Sequence, residues 1–243
     1  MSNAKDRLIV ALDVDTMAEA EHLVAQLHDY VGVFKVGMQL YNSEGPEVLH
    51  RIHGLGGRIF LDLKLHDIPN TVGQAGAVLT RHRVYMYNVH TAGGKEMMQR
   101  AVKAAVKEAE TLDIPRPLVI GVTVLTSINQ EILTNEVGID RDVEDQVVRW
   151  ALLAKEAGLN GVVASPREIT AIRAACGQDF VIITPGVRPE WAAANDQKRV
   201  MTPGEAMKAG ASYLVVGRPI TAAADPAAAA QRIIEEMEAG MKC

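Results

Sequence analysis

Cysteine and aromatic residues are what this chain has least of: two cysteines and 4% Phe, Trp and Tyr in 243 residues. Cys176 and Cys243 lie far apart and outside any metal-ligand spacing. That rules out a disulfide framework or a zinc knuckle and reads as two free thiols in a reducing compartment. A basic excess is also missing. The formal net charge is −5, which argues against a nucleic-acid partner but still allows a basic pocket for a small anion. No window approaches the roughly 18 uninterrupted apolar residues of a membrane span. The stretch from Met1 to Arg7 has no apolar signal core, so a cytoplasmic protein with no membrane partner is expected. No Gly-x-Gly-x-x-Gly follows the first strand-like run, which disfavours a dinucleotide-binding open sheet.

What is present is aliphatic. Hydrophobic residues make up 48% of the chain, mostly Ala, Val, Ile and Leu, a balance suited to a parallel sheet covered by helices. Short β-branched runs closed by Gly, Pro, Asn or Asp predict eight strands: Leu8–Val14, Val33–Met38, Arg58–Leu65, Val84–His90, Leu118–Leu125, Gly161–Ser165, Phe180–Gly186 and Tyr213–Arg218. Helical spacing predicts helices between and after them, at Ala18–His28, Glu47–His53, Asn70–Thr80, Gly94–Leu112, Val143–Ala157, Arg167–Ala175, Pro203–Ala209 and Pro226–Ala239. Eight strand-then-helix units in a chain near the usual size of about 250 residues predict one (β/α)8 TIM barrel spanning residues 1–243 as a single domain.

In that fold the active site lies at the C-terminal ends of the strands. The polar residues of the apolar strands fall there: Asp13, Lys35, Asp62 and Lys64, then Asn88 and His90, Thr123, Thr126 and Ser127, Thr184 and Arg188, and Gly217-Arg218. A lone Asp–Lys pair could be a structural ion pair. Four charges from three strands at one end point instead to a site, because buried charges are costly unless paired. Asp62 and Lys64, two apart in a strand, share a face. With Lys35 and Asp67 they make an alternating group of two ammoniums and two carboxylates. Both lysines are then expected to keep their protons and to serve as proton donors and stabilisers of negative charge, not as Schiff-base nucleophiles. The ends of the last two strands, Thr184-Pro185-Gly186-Val187-Arg188 and Gly217-Arg218-Pro219, sit where this fold most often binds phosphate. The long polar stretch from Val187 to Thr202, which contains Gln197, reads as a lid. His66 and His90 read as structural hydrogen bonders.

These motifs together resemble the orotidine 5′-phosphate decarboxylase family in its bacterial form, from about Ile9 to Ala239. The resemblance is carried by Ala11-Leu12-Asp13, Lys35-Val36-Gly37, Asp62-Leu63-Lys64-Leu65-His66-Asp67-Ile68-Pro69-Asn70-Thr71 and Asn88-Val89-His90. It continues through Val122 to Ser127, Thr184 to Arg188, Asp196-Gln197 and Val216 to Pro219. The resemblance implies decarboxylation of orotidine 5′-phosphate to UMP and CO2 in pyrimidine biosynthesis, with no cofactor and no metal. It implies Lys64 as proton donor to C6, Asp62 beside the substrate carboxylate, and Lys35 and Asp67 completing the network. Asp67 would be supplied across the interface of a homodimer with shared active sites. Asp13 and Lys35 would bind the ribose, and Thr126 and Ser127 the ribose and base. Ile68, Thr71 and Pro185 would line the substrate site, and Arg188, Gln197, Gly217 and Arg218 would hold the phosphate. One departure is Arg83, where relatives carry Gly in the turn before the fourth strand; a left-handed conformation there would cost on the order of 1 kcal/mol. Two other readings stay open: a metal-dependent sugar-phosphate decarboxylase or aldolase of the same barrel group, disfavoured by Lys35 and by Ile68-Pro69-Asn70-Thr71, and a phosphate-binding barrel without activity.

Overall fold

Eight short aliphatic runs pair in parallel and in chain order: β1 Leu8–Ala11, β2 Val33–Gly37, β3 Ile59–Leu65, β4 Met86–His90, β5 Leu118–Val122, β6 Gly161–Val163, β7 Val181–Pro185 and β8 Tyr213–Val216. β8 returns to β1 and closes the barrel. The computed structural model describes residues 3–192 and 201–242. Gln197 and Cys243 lie outside them.

Successive strand residues face opposite sides of a sheet, and that alternation divides the apolar residues into two clusters. Ile9, Ala11, Val33, Phe60, Met86, Ile120, Ile183 and Val215 fill the barrel. Residues of the other parity, among them Val10, Phe34, Leu61, Tyr87, Val119, Ile182 and Leu214, pack outward against the helices. The inward set continues, strand by strand, into Asp13, Lys35, Asp62, Asn88, His90, Pro185 and Gly217. The polar residues therefore stand directly above an apolar plug. Thr123 and Thr184 have the other parity. The Thr123 hydroxyl donates to the Val163 carbonyl at 2.8 Å and Thr184 is fully buried. Both belong to the layer under the helices, which corrects their placement among the residues of the mouth.

Several strands stop short of their predicted ends. β1 ends at Ala11, β5 at Val122 and β6 at Val163. One more ladder bond follows each, from Leu12 N–H to the Lys35 carbonyl at 3.0 Å, for example, before the chain splays into the mouth loops. The predicted long helices form, several with explicit caps. Thr16 and Glu19 make a reciprocal capping box on Met17–Leu27, and Thr202 and Glu205 do the same on Pro203–Ala209. Pro69 opens the helix Pro69–Arg81. The short helices Ala4–Arg7, Met38–Glu44, Gln130–Asn135 and Arg218–Thr221 were not expected. At two turns or fewer they carry too little apolar period to read from sequence. Among the described residues no helix is long and apolar enough to cross a membrane.

Two irregularities stand out. Pairing of β3 with β4 runs from Leu61 opposite Tyr87 to Leu65 opposite Val89, so three residues of β3 lie opposite one of β4. This bulge contains Asp62 and Lys64, and Lys64 adopts φ 53°. The second is Arg83, at φ 56° in the turn before β4, the left-handed conformation expected from the missing glycine. Arg83→Gly should raise the denaturation free energy by up to about 1 kcal/mol, the relieved strain being partly offset by unfolded-state entropy. A urea titration that shows a clear loss of stability would contradict this reading of the turn.

Candidate active site

The bulge brings an alternating charge row to the barrel mouth. The Lys35 ammonium lies 3.0 Å from Asp13 Oδ1 and 3.5 Å from Asp62 Oδ2, and Lys64 Nζ lies 2.7 Å from Asp62 Oδ1. The order is Asp13–Lys35–Asp62–Lys64, contributed by β2, β3 and the second residue beyond β1. Asp62 is the most enclosed carboxylate of the row, its side chain 14% exposed. Burial alone would push its pKa up, but the charges of Lys35 and Lys64, with hydrogen bonds from Lys64 and Asn88, outweigh it and hold the carboxyl below its usual range. Asn88 on β4 donates from Nδ2 to Asp62 Oδ1 at 2.7 Å, and its Oδ1 accepts the Lys64 backbone N–H at 2.8 Å.

Small residues keep the row open. A Cβ on Gly37 would sit 3.0 Å from Lys35 Nζ, and one on Gly217 would sit 3.8 Å from Asp13 Oδ2. Gly217 thus lies beside the row at the end of β8.

The expected partnership of Asp67 with the two lysines does not form within the chain. Asp67 is exposed, its carboxylate accepts the adjacent Ile68 N–H at 2.6 Å, and the second carboxylate of the row is Asp13. The cause is geometric: the chain leaves β3 at Leu65 and turns outward into the helix Pro69–Arg81. Ile68, 66% exposed, and Thr71, also exposed, lie on this outward segment. Among the described residues the rings of His66 and His90 make no hydrogen bond, contrary to expectation. They pack against each other with centroids 5.3 Å apart, and burial, then His66 and Lys64, lowers the His90 pKa.

On the far side of the mouth, a cavity of about 1050 Å³ is lined in part by Thr126, Ser127, Pro185 and Gly186. Arg188 follows β7, and its N–H donates to the Met201 carbonyl at 3.1 Å, which draws the two ends of the intervening segment together. Arg218 begins the short helix after β8 and is exposed. The cationic groups of the last two strands and the charge row thus share one end of the barrel. Among the described residues no group of three or more His, Cys, Asp and Glu side chains could hold a metal ion. The residue that sequence reasoning named without giving it a role is Asn88; its inward parity on β4 was the available signal.

Residues 6–233 match the profile of the orotidine 5′-phosphate decarboxylase / HUMPS family. The chain belongs to this family. It is 59% identical over 236 residues to the orotidine 5′-phosphate decarboxylase of Moorella thermoacetica, covering 97% of this chain and 94% of that protein. It is 56% identical to that of Syntrophomonas wolfei, covering 97% and 99%. The crystal structure of orotidine 5′-phosphate decarboxylase from Lactobacillus acidophilus superposes with a TM-score of 0.84 at 36% identity, covering 95% of this chain and 98% of that one. The eight-stranded barrel is therefore the architecture this decarboxylase family shares.

The lowered Asp62 pKa gives the fold a signature in acid. Because the folded carboxyl loses its proton more readily than the unfolded one, the row stabilises fully above the ordinary aspartate value of 3.8. That contribution drains away as pH falls through the lowered folded value. Urea midpoints measured from neutral pH downward should drop steeply once that range is entered, and the acid limb should be shallower in Asp62→Asn. Equal slopes in the two proteins would contradict the charge row.

Proposed function

We propose that the chain decarboxylates orotidine 5′-phosphate to UMP and CO2, with the Lys64 ammonium as the acid and no cofactor or metal. The observation that carries this reading is the Lys64 Nζ–Asp62 contact of 2.7 Å, flanked by Lys35 at the barrel mouth. Cleavage of the bond from C6 to the carboxylate leaves an electron pair in the plane of the pyrimidine ring, where no carbonyl can take it up. A fixed ammonium beside that carbon stabilises the developing charge and then transfers its proton to C6. Lys64 is left neutral and regains a proton from water. Asp62, held ionised, keeps Lys64 aimed and faces the departing carboxylate.

The remaining residues bind. Asp13 and Lys35 take the ribose hydroxyls, Thr126 and Ser127 the ribose and base, and Ile68, Thr71 and Pro185 line the substrate site. Arg188, Gly217 and Arg218, with Gln197, take the phosphate. These phosphate contacts are remote from the reacting bond, so their binding energy can organise the site around it.

The functional unit is a homodimer in which Asp67 of one copy reaches the Lys64 side of the other. Support comes from an exposed Asp67 that meets neither lysine of its own chain and from the adjacent Ile68, 66% exposed. A second copy would cover both. The buried free thiol of Cys176 suits a reducing cytoplasm.

Lys64→Ala should lower kcat by more than about 10³-fold while UMP still binds in calorimetry. Normal turnover would refute the role of Lys64. Sedimentation should give twice the 26.3 kDa of one chain, and Asp67→Ala should lose most activity while its row of four charges persists. A monomer that turns over normally would refute the shared site.

A further inference from the structure

The bulge in β3 poses a problem that one residue of β4 solves. A regular parallel ladder would pair β3 and β4 residue for residue, yet between Leu61 and Leu65 three residues of β3 oppose the single residue Asn88 of β4. Such a bulge leaves backbone groups without ladder partners. Here Lys64 also sits at φ 53°, a left-handed backbone that a lysine adopts only when its surroundings hold it there. Asn88 lies opposite the bulge, 1% exposed, with both ends of its amide engaged. Oδ1 takes the Lys64 N–H at 2.8 Å, and Nδ2 donates to Asp62 Oδ1 at 2.7 Å. Lys64 Nζ reaches that same Asp62 oxygen at 2.7 Å. Asn88, Asp62 and Lys64 therefore form one closed loop through a backbone N–H, two side-chain amide atoms, a carboxylate oxygen and an ammonium.

We infer that Asn88 is the positioning residue of the reaction. Its carbonyl replaces the missing ladder acceptor and fixes the strained Lys64 backbone, while its NH2 fixes the Asp62 carboxylate that aims the Lys64 ammonium. An amide suits both tasks because it carries a donor and an acceptor on one planar group with no charge. A carboxylate of the same shape would accept from Lys64 N–H but set a second negative oxygen against Asp62. A serine hydroxyl is too short to reach both groups. The rigid strand supplies the precision: Asn88 has neighbours paired on both sides, Val89 and His90 to β5 and Val89 to β3.

The inference rests on the proposed decarboxylation only for its kinetic readout. The test compares wild-type protein with Asn88→Asp and Asn88→Ser for orotidine 5′-phosphate turnover from pH 5 to 8. Thermal melts establish folding, and crystal structures of the variants report Lys64 φ. The titrating groups around position 88 are Asp62 and Lys64 on β3, Lys35 on β2, His90 on β4 and His66 beside it. They are common to all three proteins, so the ratio of variant to wild-type kcat isolates the change.

For Asn88→Asp, kcat near neutral pH should fall by about 10- to 150-fold, the range for losing a hydrogen bond to a charged group, with KM changed far less. The deficit should shrink as pH falls, because the new carboxyl, once protonated, donates to Asp62 as the amide did. Asn88→Ser should fold and lose kcat without that recovery in acid. Folded variants with wild-type kcat, or an Asn88→Asp deficit constant across pH, would overturn the inference. If Asn88→Asp does not fold, Asn88→Ser decides by its kcat and by Lys64 φ. Wild-type protein inert toward orotidine 5′-phosphate would refute the proposed function instead. The positioning role would then be judged by the Asn88→Ser structure: Lys64 leaving the left-handed region supports it, and an unchanged Lys64 φ with its Asp62 contact intact overturns it.

Discussion

A carboxylate held between two ammonium groups is the arrangement on which the rest of this molecule depends. Asp62 alone would be expelled or neutralised at its depth, since burial opposes its charge. Lys35 and Lys64 alone would repel each other. Together, with Asp13 at the outer end, they form a row in which each inner charge has an opposite neighbour within 3.5 Å. The row costs desolvation at both lysines and at Asp62, and an apolar replacement would pack as well or better. What it contributes is a fixed ammonium with a defined direction, the requirement of a reaction that leaves an electron pair with no covalent sink.

The barrel supplies that fixity through one simple alternation. Inward positions of the first four strands carry apolar side chains near the base and polar ones at the mouth, so the row rests on Phe60, Met86, Val33 and Ile9. Close packing below prevents the charged layer from sinking. The layer under the helices, built from the opposite parity, holds each strand in register. The proposed site is thereby confined to one end, and substitutions at the base are expected to act on stability. Among the described strands the regular ladder gives way at the bulge of β3, where the proposed acid, the left-handed Lys64, stands.

Much of this was legible in the residues. The strands could be read from aliphatic runs and the site from charges at their ends, because both follow local rules. The Asp62–Lys64 pairing was also reached, but through a regular strand that the structure replaces with a bulge. Side-chain period cannot reveal a register shift that depends on β4. Asp67 follows the motif in sequence but stays outside the row of its own chain, and its expected place is across a dimer interface. The outer carboxylate of the row is Asp13, since closure of β1 beside β2 brings it within 3.0 Å of Lys35, and no motif in one strand encodes its neighbour's reach. Thr184 was misplaced by a single step of parity. Arg83 was read correctly because a missing glycine constrains the backbone directly. Asn88 was visible as an inward polar residue, but its double role needed coordinates.

In the proposed reaction, lysines already in the chain do the work that a metal or an organic cofactor could otherwise supply. The decisive measurement follows orotidine 5′-phosphate consumption spectrophotometrically with protein stripped of metal and assayed in excess chelator. Full turnover with stoichiometric UMP is expected. Activity that vanishes with chelator and returns with a divalent cation would contradict it.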